Sequence, residues 1–383
     1  MPFALVTGGA GFIGSHTVDH LLAKGYEVRV LDSLQPRVHP RGKPSYVPPA
    51  VDFRQGDVAN RGDLLAALDG VDCVFHLAAY QDYLPDFSTF VHTNVESTAL
   101  LFELIVERRL SVRKIVFASS QSVSGEGRYQ CVEHGEVFPG PRSVEQLERG
   151  DWEVNCPTCA RAMTPLLIPE STATPHTTYA ISKYAIELLA DRLGRRYGVP
   201  TACMRYTYVQ GARNSFYNAY SGVCRIFAQR IMLGLPPVCY EDGMQQRDYV
   251  NVADVARANV LAMESDAADF RVFNVGGGRA ISVLEFARLM LKALDSSLFP
   301  LVPGEYRLGD TRHTVSDISA MRSLGWEPGI PVEQNIREYL AWMKPQLDES
   351  ISARGATEAE RVMREQGVLR RASIAHGSSA ARR

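Results

Sequence analysis

The sequence predicts an α/β fold: a Rossmann-type doubly wound parallel sheet, with a smaller mixed α/β domain and a cysteine-containing insertion. Three observations predict it. Strand-length apolar runs alternate with helix-period segments through the first third of the chain. A glycine-rich turn follows the first of those runs, and a long helical pattern backed by a strand resumes after an aperiodic polar stretch.

The elements follow in order. Phe3-Ala4-Leu5-Val6 is a short apolar strand. His16 to Lys24 has helical spacing, and Gly25 can stop it. Glu27 to Leu31 is a second strand, and Val71 to Leu77 and Ile115 to Ala118 are two more, with the apolar-periodic helix Thr98 to Arg108 between them. Residues 126–169 break the rhythm; they are polar, rich in Pro, Cys and Glu, and read as an insertion. A helix is expected from Thr178 to about Tyr197, then a strand at Thr201 to Tyr206. The resulting division is 1–125 with 170–210 for the sheet domain, 126–169 for the insertion, 211–345 for the smaller domain, and 346–383 for a disordered tail. From Ser350 onward the tail holds seven Arg against three Glu, so it reads as a basic, solvated appendage.

Composition bounds the function. The chain has 383 residues, 45% of them hydrophobic, enough for a large core without disulfides. Its 41 basic and 43 acidic residues leave a formal charge of −2, so nucleic acid is not an expected partner. There is no run of 18 apolar residues for a membrane span and no basic leader before the first strand. With seven cysteines, an odd and modest number, a cytoplasmic location is expected.

Gly8-Gly9-Ala10-Gly11-Phe12-Ile13-Gly14 sits between a strand and a helix. Glycines there let the backbone approach a pyrophosphate, and the free N–H groups of the helix start point at the anion. Asp32 ends the second strand, 18 residues past Gly14. A carboxylate there accepts hydrogen bonds from ribose hydroxyls and repels a 2′-phosphate, which favours NAD over NADP. Tyr179 and Lys183 lie at i and i+4 near a helix start, on one face. A phenol is too weakly acidic for a base at neutral pH, and a neighbouring ammonium together with an oxidised nicotinamide would lower its pKa. Ser120 ends the strand before the insertion, placed to hydrogen-bond a substrate hydroxyl; Ser119 and Ser122 have turn-stabilising hydroxyls as the plainer alternative.

A separate pattern lies in the insertion. Cys131 and His134 are spaced C-x2-H, and Cys156 and Cys159 are spaced C-x2-C. Two short-spaced pairs of such ligands suit a tetrahedral structural zinc, with unrelated cysteines or a redox pair as alternatives.

These motifs together resemble the extended short-chain dehydrogenase/reductase family and, within it, the nucleotide-sugar epimerases and dehydratases. The resemblance runs from about residue 3 to residue 343, with 126–169 as an addition. It implies a cofactor set of Gly8, Gly11, Phe12, Ile13, Gly14, Asp32, Asp57, Val58, Leu77, Ala78, Ala79, Asn94 and Lys183, holding a tightly bound NAD. Ser120, Tyr179 and Lys183 match the family's catalytic set. Ser120, Tyr208, Asn218, Arg247 and Arg307 are the implied substrate-facing residues, the two arginines on the diphosphate. Tyr208 stands where the family carries a phosphate-contacting Asn.

The implied reaction is epimerisation of a nucleotide sugar at C4 through a 4-keto intermediate. The implied substrate is dTDP-L-rhamnose or a UDP-hexose, and the implied setting is cell-surface polysaccharide biosynthesis. Gln121 and Ser122 replace the Asp-Glu of the dehydratases, which disfavours dehydration. A keto-sugar reductase on the same residues and a non-catalytic NAD-binding regulator are the alternatives. The resemblance also implies a homodimer through helices at about 98–109 and 178–197.

Overall fold

Strands with apolar side chains on both faces have no side to give to solvent, so they pair in the middle layer of a fold. The computed structural model, which describes residues 1–82, 85–215, 222–346 and 360–373, is built this way. The first part runs β1 (Phe3–Thr7), α1 (Phe12–Ala23), β2 (Glu27–Asp32), β3 (Asp52–Gln55), α2 (Arg61–Leu68), β4 (Cys73–His76), α3 (Phe87–Phe90), α4 (Ser97–Arg108) and β5 (Lys114–Ser120). The insertion adds β6 (Arg128–Cys131), β7 (Gly135–Val137), α5 (Val144–Glu148) and β8 (Thr164–Leu166). Next come α6 (Thr178–Tyr197), β9 (Thr201–Tyr206), β10 (Tyr208–Gln210), α7 (Gly222–Met232), β11 (Gln246–Asn251), α8 (Val252–Glu264) and β12 (Arg271–Val275). The chain then makes β13 (Ala280–Ser282), α9 (Val283–Ala293), β14 (Glu305–Arg307), α10 (Ser319–Ser323), α11 (Val332–Met343) and β15 (Leu369–Arg371).

Seven strands pair in the order β12-β9-β5-β4-β1-β2-β3, all parallel. The two-residue strand period splits their side chains between two cores. Ala4, Val6, Val30 and Phe75 meet Val18 and Leu21 of α1 and Val255 and Ala258 of α8. Leu5, Val74, Ile115 and Phe117 meet Leu64 of α2, Leu101 and Leu104 of α4, and Ile186 and Ala190 of α6. A third core joins α7, α9 and α11 beside the short sheet β10-β11-β13. The strand order reverses between β1 and β4, so a crevice opens at their carboxyl ends.

Four features differ from the sequence expectation. Helix α1 begins at Phe12, not His16, because the glycine turn itself leads into the helix. Strand β3 and helix α2 were not expected; β3 is only half-buried and polar, so it lacks the apolar run that marks the other strands. Residues past 211 are not confined to the smaller domain, since β12 pairs with β9 at the sheet edge and α8 packs on α1. The tail is not disordered throughout: a helical turn over 360–365 leads to β15, which pairs antiparallel with β14. Its basic residues find acidic partners, Arg364 forking onto Glu305 at 2.8 and 3.0 Å, and Met363 and Leu369 are buried. No helix among the described residues is long and apolar enough to cross a membrane.

Candidate active site

The glycine turn is a cradle that side chains would fill. Gly8 has φ +68° and faces the loop after β4, where a Cβ would lie 2.8 Å from Ala78 Cα. A Cβ on Gly14 would lie 2.1 Å from Gly8 O. Gly11 caps α1 and has no side chain to hydrogen-bond the amides of the first turn. Asp32 braces the same turn: its two oxygens accept the N–H of Ala10 and of Leu34, each at 2.9 Å. Leu77 and Ala78 donate their N–H groups to Thr7 Oγ1. Asp57 Oδ1 accepts the N–H of Ala59, and Val58 is buried beside it.

Asn94 lies in a π-helical turn, Val91–Glu96, the kind of local bulge that re-aims a side chain. Its amide accepts the Tyr80 N–H at 2.8 Å and donates to Ser182 Oγ at 3.0 Å, so it ties the loop after β4 to α6. His76 is buried between Thr7 and Ser97, and burial pushes its pKa down to about 3, leaving it neutral.

Helix α6 starts cleanly because Thr177 caps it, accepting the Ala180 N–H at 3.2 Å. Tyr179 therefore sits in the first turn, above the end of β5, and hydrogen-bonds Ser120. Ser122 donates its N–H and its hydroxyl to Ser120 Oγ, at 3.2 and 3.0 Å. Lys183 lies one turn further and is buried; its Nζ donates to Ala118 O at 2.8 Å and stands 5.8 Å from the Tyr179 ring centre.

Burial sets the chain's own electrostatics against an acidic phenol. Burial pushes the phenol up to about 12, and the Ser120 hydrogen bond is what opposes the rise. Burial also pushes Lys183 down to about 7. A cation bound beside the phenol would favour its phenolate form.

Behind the pair lies an ionic unit that the motifs did not reveal. Glu187 Oε1 accepts the Ser119 hydroxyl at 2.5 Å, and Arg205 forks onto Glu187 with both bonds at 2.8 Å. Arg205 Nη1 then donates to the carbonyls of Glu170 and Thr172. All three residues are buried. The signal was present: Glu187 is four residues past Lys183 on the same helix face, and Arg205 interrupts an otherwise apolar strand.

The far end of the crevice is cationic and aromatic. Arg247 is buried; it donates to the carbonyls of Gln246, Arg312 and Thr311, and its guanidinium lies 5.2 Å over the Tyr208 ring. Arg307, on β14, pairs with Asp310 and lies 5.5 Å over the Tyr240 ring. One cleft of about 590 Å³ is lined by Ser120 and Tyr179 at one end and by Tyr208, Arg247 and Arg307 at the other, with Met363 and Val368 of the tail beside them. Asn218 lies outside the described residues.

Fold and site together define a Rossmann-type, dinucleotide-using enzyme with a Ser, Tyr and Lys set at the carboxyl edge of its sheet. Comparison with known proteins carries this further. The model of the NAD-dependent epimerase/dehydratase family matches residues 4–143 and 161–276. The dTDP-L-rhamnose 4-epimerase of Burkholderia thailandensis is 31% identical, over 90% of this chain and 95% of that protein. The crystal structure of the Thermotoga maritima UDP-glucose 4-epimerase with UDP-glucose aligns with a TM-score of 0.73 and 29% identity, covering 90% of this chain and all of that one. That of the Thermus thermophilus UDP-glucose 4-epimerase with NAD aligns with a TM-score of 0.70 and 28% identity, over the same shares. The chain belongs to this family and is an NAD-dependent enzyme of the epimerase class.

Proposed function

We propose that this protein inverts C4 of a nucleoside-diphosphate sugar through a 4-keto intermediate, with NAD retained between turnovers. One observation carries the reading: a single cleft presents the Ser120–Tyr179 pair at one end and the Arg247 and Arg307 guanidiniums at the other. That is the layout needed to hold a diphosphate while a sugar hydroxyl reaches a proton acceptor.

The residues fit the cofactor. The cradle that a Cβ would fill at Gly8 and Gly14, the uncapped start of α1 and Asp32 suit a dinucleotide pyrophosphate and its ribose. Bound NAD supplies the hydride acceptor and, once reduced, the donor, so no outside redox partner is consumed. The chain does the rest. As the phenolate, which a bound cationic nicotinamide would favour, Tyr179 takes the proton from the C4 hydroxyl and returns it after the keto sugar has turned over. Ser120 holds the reacting oxygen beside the Tyr179 hydroxyl. Lys183, buried and near neutrality in its pKa, adjusts the charge beneath Tyr179. Gln121 and Ser122 offer no carboxyl to abstract a carbon-bound proton, which separates this site from a dehydratase.

Among sugars, dTDP-L-rhamnose is the substrate we favour, supported by the Burkholderia relative, with UDP-hexoses next. A second copy of the chain is the proposed partner, supported by exposed Val106 on α4 and exposed Ile181 and Leu188 on α6. Seven free cysteines support work in the cytoplasm.

The test is NMR of the anomeric protons with purified protein and no added cofactor, over dTDP-L-rhamnose, UDP-glucose, UDP-N-acetylglucosamine and UDP-glucuronate. A new anomeric signal rising to a constant ratio is expected. Turnover seen only when NADH is supplied with a keto sugar would replace the epimerase with a reductase.

A further inference from the structure

The insertion brings four soft or borderline ligands to one point. Cys131 ends β6, His134 precedes β7, and Cys156 and Cys159 lie in the loop before β8. Their ligand atoms all lie within 4.8 Å of one another. Cys131 Sγ is 3.5 Å from His134 Nδ1 and 3.7 Å from Cys159 Sγ, and Cys156 Sγ is 3.5 Å from the same Nδ1. A tetrahedron around zinc, with bonds of about 2.3 Å to sulfur and about 2.0 Å to nitrogen, has edges of about 3.8 Å between sulfurs and about 3.5 Å between sulfur and nitrogen. These three edges of the cluster match those values. A disulfide would need about 2.05 Å, so these sulfurs are apart as ligands stand, not as a bonded pair.

The backbone is arranged for the same purpose. The N–H groups of Glu133 and His134 face Cys131 Sγ, those of Thr158 and Cys159 face Cys156 Sγ, and that of Arg161 faces Cys159 Sγ. Donors turned onto sulfur stabilise thiolates, the form that binds metal. Each second ligand is followed at once by a left-handed residue, Gly135 at φ +71° and Ala160 at φ +57°. The same turn thus occurs twice, and at Ala160, which carries a Cβ, it is a strained conformation. The module's own apolar core is small, Tyr129, Cys131, Val154, Cys156 and Met163, and two of these are the ligands themselves. The family match covers Cys131 and His134 but stops at residue 143 and resumes at 161, leaving out Cys156 and Cys159.

The module also touches the substrate end of the cleft. Glu153, three residues before Cys156, accepts hydrogen bonds from Arg312 at 2.6 Å and faces His313 Nε2 at 3.1 Å. The carbonyls of Thr311 and Arg312 in turn hold Arg247. We propose that Cys131, His134, Cys156 and Cys159 form a closed, structural zinc site that fixes the 126–169 insertion and, through Glu153, the 311–313 segment that positions Arg247. Four protein ligands leave no open coordination position, so the metal has no part in the chemistry.

The test uses the full chain, purified without chelator from zinc-supplemented cells. Elemental analysis should find one zinc per chain, and cobalt exchanged into the site should give the intense visible bands of tetrahedral cobalt with thiolate ligands. Folded protein with zinc far below one per chain overturns the proposal, as does a Cys156–Cys159 disulfide found by mass. Cys159→Ser should lose the metal, and His134→Cys should keep it with a shifted cobalt spectrum. If Cys159→Ser does not fold, His134→Cys and the wild-type cobalt spectrum still decide. Limited proteolysis reads the coupling: zinc removal should open cleavage within 126–169 and near Arg312 while β1 to β5 stay protected. An unchanged cleavage pattern overturns the positioning role. Neither readout uses a sugar nucleotide, so failure here and failure of the epimerase reading are told apart.

Discussion

The two ends of the cleft are built on different plans. At the proposed catalytic end, Ser120, Tyr179 and Lys183 come from one strand and one helix, held by the apolar cores of the sheet with the buried Glu187–Arg205 pair beneath them. At the proposed anchoring end, Arg247 and Arg307 sit on strands of the small sheets steadied by charge. Arg312 is fully buried and binds Glu153, Glu241 and Asp242, while Arg142 forks onto Glu241 at 2.9 and 3.0 Å. The insertion, β14 and the tail all meet there. Hydrophobic burial is tolerant of which residue supplies it, whereas a buried ion is tolerable only beside its own partner. The difference teaches where substitutions should act: on rate at one end, on binding and local order at the other.

The largest effect is expected at Tyr179. Tyr179→Phe removes the proton acceptor and should lower kcat by about 10²–10⁴-fold, with NAD content unchanged when the nucleotide is released and measured. Full activity in that variant would break the assignment of the catalytic end. Next comes the ionic unit beneath it. Glu187→Ala strands the buried Arg205 charge and should destabilise the fold by about 3–5 kcal/mol in urea unfolding. Pairing it with Arg205→Met should recover much of the loss; no recovery would mean that the pair acts through shape, not charge.

At the anchoring end, Arg307→Ala should raise KM for the nucleotide sugar roughly 10- to 100-fold, the worth of about 1.5–3 kcal/mol of charged hydrogen bonding. Its kcat should move far less, and an equal fall in kcat would blur the division between the two ends.

A pH experiment sharpens the contrast further. Lys183 moves from 10.5 to about 7 on folding, so between those values the unfolded chain holds a proton that the folded one lacks. In nucleotide-free protein, its contribution to stability should therefore rise with pH from about 7 toward 10.5 and be lost as pH falls to 7. Tyr179 runs the other way, lowering stability as pH rises from 10 to about 12. Lys183→Met should flatten the first slope, as read by thermal unfolding across that range. The smallest effect is expected from Arg364→Ala in the tail. Its side chain is about half exposed, so the Glu305 pair contributes under about 1 kcal/mol. KM should rise a few-fold at most, through loosened pairing of β15 on β14.

What the sequence determined by itself is local. Alternating apolar runs define the strands and the α4 and α6 helices, because periodicity is a property of consecutive residues. The glycines of the first turn and the Tyr-x3-Lys spacing carry the cradle and the catalytic face, because each lies within two helical turns of chain. The two Cys/His pairs are equally legible as pairs. Tertiary structure alone decided what meets across distance. It added β12 to the sheet edge, and it laid the tail along β14, where three residues of pairing and a few buried apolar side chains carry no periodic signal. It also chose the partners of the buried charges: Arg312 meets Glu241 across 71 residues and Glu153 across 159. The physical reason is the same in each case. A buried polar group is stable only when its hydrogen bonds are met, and the group that meets them is selected by proximity in space, which local sequence pattern does not encode.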